Sequence, residues 1–81
     1  MNLVELTEYL VKQIVHDSDS VSVKQFDEDD EYITIEVLVS SDEIGYVIGK
    51  GGRVASSIRT IVQAAAYTNN LKKVKVNFDA F

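Results

Sequence analysis

Val47-Ile48-Gly49-Lys50-Gly51-Gly52-Arg53 is the stretch on which the fold turns, because it sets a glycine-rich, basic bend between two segments of helical periodicity. Glycines let a main chain turn sharply and come close to a ligand. The first turn of the helix that follows offers N–H groups with no intrahelical partner and a partial positive charge. Lys50 and Arg53 put full charges beside them. Together these are the parts of a clamp for a phosphate backbone.

Working outward, Ser40 and Glu43 have the spacing of a capping box and predict the start of a short helix. Ile44, Val47 and Ile48 form its inward stripe and Gly49 stops it. Beyond the bend, Val54, Ile58, Ile61, Val62 and Ala65 recur three and four apart, which predicts a helix continuing to about Tyr67. Asn69-Asn70 is a turn signal. Val74, Val76 and Phe78 then alternate with Lys73, Lys75 and Asn77, a closing strand with one apolar side.

Toward the N-terminus, Leu3, Leu6, Leu10 and Ile14, widened by Val4, Val11 and Val15, predict an amphipathic helix over residues 3–15, ended by Asp17-Ser18-Asp19-Ser20. A short strand runs from Val21 to Phe26, and Asp27-Glu28-Asp29-Asp30 is too charged for anything but a loop. Ile33, Ile35, Val37 and Val39 make the returning strand. The order is helix, strand, strand, helix, bend, helix, strand. A hairpin makes the first two strands antiparallel, and a right-handed two-helix crossover makes the second and third parallel. The expected fold is α+β: a three-stranded mixed sheet covered on one face by three helices, in one domain over residues 1–81.

Size, charge and cysteine content narrow the function. The 81 residues suffice for one small core, and without cysteine neither disulfides nor thiolate metal sites reinforce it. No apolar run is long enough to span a bilayer and the chain opens on no signal-peptide pattern, so a cytoplasmic location is expected. The net charge of −5 conceals an asymmetry: residues 1–43 hold two lysines and twelve acids, a net −10, whereas residues 44–81 hold six basic residues and one acid, a net +5. Such a division is expected of a molecule that meets a polyanion on one face.

Competing phosphate motifs fail on spacing. Between Gly45 and Gly49-Lys50 stand three residues where a P-loop needs four, and Gly51 occupies the place of its Ser or Thr. A dinucleotide fingerprint would need a third glycine where Val54 stands. His16 is the sole histidine, placed at the end of the first helix as a cation favoured by the helix dipole, and no nucleophile and base stand in catalytic relation. The 27–31 carboxylates lack the glycine and closing glutamate of a calcium loop. The expectation is a binding module with no catalytic residues, metal, cofactor or small-molecule substrate.

Ile48-Gly49-Lys50-Gly51-Gly52 between two helices, in an α-β-β-α-α-β order, resembles the G-x-x-G loop of a KH domain in its type II, bacterial arrangement. The longer run Asp42 to Thr60, followed by Ala64-Ala65-Ala66, is similar to the small single-domain bacterial RNA-binding proteins of the KhpA type. The resemblance implies a grip on about four nucleotides of single-stranded RNA. Gly49 and Gly52 match the motif glycines and Lys50 and Gly51 the variable pair, so the implied RNA-binding set is Ile48, Gly49, Lys50, Gly51, Gly52 and Arg53. Arg59 ranks below Arg53. Val47, Ile48 and Val54 have two roles open to them, core or apolar floor for bases, and Lys72, Lys73 and Lys75 are either a solvated strand face or a further contact.

A lone module of this charge binds weakly, and pairing two modules compensates. Ala55, Ser57, Ala64 and Ala66 on the long helix serve either tight internal packing or close approach of a second helix, and Tyr46 and Phe78 to Phe81 are further contact candidates. The resemblance also implies self-association, or pairing with a larger KH-containing protein, in post-transcriptional regulation and RNA chaperoning linked to cell elongation and division. The rival reading is a protein-interaction adaptor with little RNA affinity of its own.

Overall fold

The computed structural model describes residues 1–27, 30–69 and 72–81. Helix α1 spans Leu3–Lys12 and opens on a reciprocal cap: the Glu5 amide donates to Asn2 Oδ1 at 2.8 Å and the Asn2 amide to Glu5 Oε1 at 3.1 Å. The apolar stripe runs past the helix, because the Ile14 and Val15 amides both close onto the Val11 carbonyl in a turn. A single turn of 3-10 helix, Ser18–Ser20, leads into the sheet.

Strand β1 (Ser22–Phe26) pairs antiparallel with β2 (Tyr32–Val39), and β2 pairs parallel with β3 (Lys73–Ala80), so β2 is the central strand. The acidic connection predicted at 27–31 and the turn at Asn69-Asn70 are only partly within the described residues: Glu28, Asp29 and Asn70 lie outside them. Along β2 the side chains of Ile33, Ile35, Val37 and Val39 are buried and those between them are not, so one face of the sheet is covered. Helices α1, α2 (Ile44–Ile48) and α3 (Arg53–Thr68) supply that cover through Leu3, Val11, Val47, Ile58 and Val62. The α+β layer arrangement is the expected one.

Strand β3 lies at the edge of the sheet, and α3 runs back along it. Gln63 Nε2 donates to the Val74 carbonyl at 3.2 Å and Arg59 Nε to the Val76 carbonyl at 2.9 Å. Two side chains one helical turn apart thus occupy acceptors that an edge strand otherwise offers to another chain. The Arg59 guanidinium also lies over the Phe78 ring, 5.2 Å from its centroid. Arg59, ranked last among the phosphate contacts, is held by the strand.

Several expectations change. Ser40 and Glu43 form no capping box: the Ser40 hydroxyl accepts from the Asp42 amide at 3.3 Å, and the Glu43 carboxylate turns away to the α1–β1 connection. There Oε1 accepts from the His16 amide and lies 3.1 Å from His16 Nδ1, while Oε2 accepts from the Asp17 amide at 3.1 Å. His16 therefore answers to Glu43, beyond the end of α1 and not on its dipole. Ile61, placed in the inward stripe of α3, is 45% exposed. The small residues of α3 do not form one surface: Ala55 and Ala66 are buried in the core, and Ser57 and Ala64 are exposed.

Candidate nucleic-acid interface

The bend is built from two hydrogen-bonded turns in succession. The Gly49 amide donates to the Gly45 carbonyl at 2.9 Å and ends α2; the Gly52 amide then donates to the Gly49 carbonyl at 3.0 Å, and the Arg53 amide to Lys50. The amides of Lys50 and Gly51 take no part in these turns. Gly49 stands at φ 77°, ψ 169°, a conformation essentially confined to glycine. Its α-carbon also lies against Val54: a methyl group there would sit 2.5 Å from Val54 Cγ2. Gly52, at φ 77°, ψ 14°, has open space on the side a methyl would occupy.

Gly52 is the N-cap of α3, and no side chain caps that end of the helix. The Ser57 hydroxyl, one turn in, donates back to the Arg53 carbonyl at 3.0 Å. The positive end of its dipole therefore faces the bend, where the Gly52 and Arg53 amides are taken up by the turns and those of Lys50 and Gly51 are not. Lys50 and Arg53 are exposed and neither pairs with an acid among the described residues. Ile48 and Val54 are half-buried beside the bend, whereas Val47 is wholly buried, so Val47 belongs to the core and not to a floor for bases.

Of the predicted residues, Ile48, Gly49, Lys50, Gly51, Gly52 and Arg53 lie together as one continuous bend, and Arg59 stands apart on the β3 edge. Glu43 is the residue that sequence spacing misread. Its carboxylate, 6% exposed as a residue, ties the α1–β1 connection to the start of the five-residue helix that carries the bend. Its pKa is lowered, chiefly by the His16 amide and also by the Asp17 amide and the His16 ring, against a raising effect of burial. No sequence signal marked it, because its partners lie across 26 and 27 residues of chain. No group of three or more His, Cys, Asp or Glu among the described residues is placed to hold a metal ion.

A family model for the KH domain of KhpA and KhpB matches residues 4–78. The chain belongs to the KhpA/KhpB KH-domain family. Among curated relatives of this chain, the RNA-binding protein KhpA of Clostridium perfringens is 43% identical over 70 residues, covering 86% of this chain and 92% of that one. The protein of the same name from Borreliella burgdorferi is 36% identical over 69 residues, covering 85% and 83%. In solved structures the fold resembles part of Aquifex aeolicus Era bound to GDP and aluminium fluoride, with a TM-score of 0.76 at 13% identity over 98% of this chain and 30% of that one. Era in complex with MgGDPNP and nucleotides 1506–1542 of 16S ribosomal RNA gives a TM-score of 0.67 at 16% identity, over 96% and 29%. At such identities the likeness to Era is one of fold.

Proposed function

We propose that the chain is a cytoplasmic RNA-binding module that grips about four nucleotides of single-stranded RNA at Ile48, Gly49, Lys50, Gly51, Gly52 and Arg53. One observation carries the reading: a bend with three glycines at positive φ opens onto a helix start that no side chain caps, flanked by two cations with no acidic partner among the described residues, on a molecule whose net charge is −5. The names of its KhpA relatives support the same ligand. Lys50 supplies a point charge that needs little orientation, Gly52 lets backbone approach a phosphate, and Arg53 holds a second phosphate from the first turn of α3. Nothing in this bend resembles a catalytic arrangement. Among the described residues no helix is long and apolar enough to cross a membrane.

The module works as a dimer, or with a larger KH-containing partner, in regulation linked to cell elongation and division. Support for pairing comes from an apolar groove of about 420 Å³ between α1 and α3, where Leu10, Ile14, Val54 and Ile58 are joined by the exposed Ile61. A double change, Lys50→Asp with Gly51→Asp, tests the grip. A Cβ at Gly51 meets nothing within 4 Å, and aspartate tolerates its left-handed conformation, so the fold persists. RNA crosslinked to the protein in cells is expected to drop sharply; unchanged crosslinking rules out the bend. Ile61→Asp is the complementary arm: under the adaptor reading it removes the partner protein while RNA recovery is unaffected.

A further inference from the structure

Residues Gly52, Ser56, Arg59, Gln63 and Tyr67 follow one another along α3 at spacings of four, three, four and four, and so share one face of the helix. Arg59 and Gln63 fix where that face looks, since both reach the edge of β3. The stripe begins at the glycine bend and ends at Tyr67, which is 84% exposed. Beside it lies a cleft of about 380 Å³ lined by Tyr32, Gln63, Tyr67, Lys72, Lys73 and Val74, with no acid among the described residues of its lining. Tyr32 is the cross-strand neighbour of Lys73, and Lys75 Nζ stands 4.2 Å from the Tyr32 ring centroid.

From this placement we infer that single-stranded RNA held at the bend is held a second time at the far end of α3, with a base stacked on Tyr67 and its backbone against Lys73. The inference rests on the RNA-binding reading above and adds a site to it. Tyr67 has no packing role that its exposure leaves room for, and aromatic rings set among lysines are the components of a sequence-tolerant single-strand platform. Gly52 and Tyr67 are separated by ~22 Å of helix. A stacked strand advancing ~3.4 Å per nucleotide needs about six or seven nucleotides to join them, more than the bend alone grips. Asp27, Asp30 and Glu31 lie on the connection leading into Tyr32, so this corner draws its binding from stacking more than from charge. Its contribution therefore survives salt that dissociates the bend.

The experiment compares binding of a uridine tetranucleotide and a uridine decanucleotide to wild type, Tyr67→Ala and Tyr67→Phe. Multiple registers of the bend on the decanucleotide give it up to about sevenfold by counting alone, and one stacked base is expected to add about tenfold to that in wild type. Tyr67→Ala removes the added tenfold and leaves the tetranucleotide unchanged, while Tyr67→Phe keeps it. A decanucleotide affinity unchanged in Tyr67→Ala, or a loss shared equally by both lengths, overturns the second site while leaving the bend in place. Failure of wild type to bind either RNA sinks the RNA-binding reading itself.

Discussion

A methyl group added at Gly49 meets Val54 Cγ2 at 2.5 Å and the Val54 amide nitrogen at 3.0 Å, whereas one added at Gly52 meets nothing within 4 Å. Gly49→Ala therefore carries both a backbone strain and a collision with the first turn of α3, and is expected to cost about 2–4 kcal/mol in denaturant unfolding. Gly52→Ala carries the backbone strain alone, about 1 kcal/mol, and its larger effect is on RNA affinity, where the methyl occupies the path of a phosphate. Glu43 yields a prediction in pH. Its carboxyl titrates below the ordinary range because the His16 amide, then the Asp17 amide and the His16 ring, favour the charged form. A depressed folded-state value means the clamp stabilises above the unfolded carboxylate pKa of about 4.3 and is lost as pH falls through the lower folded value. Glu43→Gln should thus be less stable than wild type at neutral pH and lose less stability on acidification, as thermal melts across that range would show. The glycines were legible because spacing alone carries their meaning. Glu43 was not, because Ser40 and Glu43 satisfy a local rule while the carboxylate is claimed by amides distant in sequence.

Period is what made the elements legible. Strand β2 alternates without interruption, α3 repeats its apolar positions over sixteen residues, and both formed where their patterns lie. Helix α1 ends earlier than its stripe, at Lys12, since a stripe records which side chains are buried and not which backbone is helical. Ile61 fits the spacing yet lies at the rim of the buried stripe, beside Leu10 and Ile14, where it is only partly covered. The edge of β3 left no trace in sequence, because Arg59 and Gln63 meet its carbonyls only once α3 has docked. Removing that cover by Arg59→Ala is expected to cost about 1–2 kcal/mol and to bare the Val76 carbonyl. Sedimentation should then report concentration-dependent association through the opened strand, and a variant that stays as stable and as dispersed as wild type would refute the capping role.

Across the whole molecule, the sequence divides its charge more sharply than its net value suggests, and the cationic half supplies the bend, α3 and β3. The acidic half supplies α1, β1 and β2 and leaves the bend's cations without local competitors among the described residues. The layer arrangement followed from the order of elements, since a hairpin and a two-helix crossover leave the middle strand central. Which surfaces then stay open was beyond reach of a linear pattern: the Ile61 groove and the Tyr67 corner exist only because α1 and β3 dock beside α3.

The central claim is that the bend's main chain, with Lys50 and Arg53 free of acidic partners among the described residues, holds phosphates. Its most direct test is salt titration of a uridine tetranucleotide against wild type and the Lys50→Asp, Gly51→Asp protein. Two phosphates neutralised on a single strand predict a log–log slope of about −1.4 for wild type, with binding largely lost in the variant. A flat response, or equal affinity of the two proteins, would contradict the account.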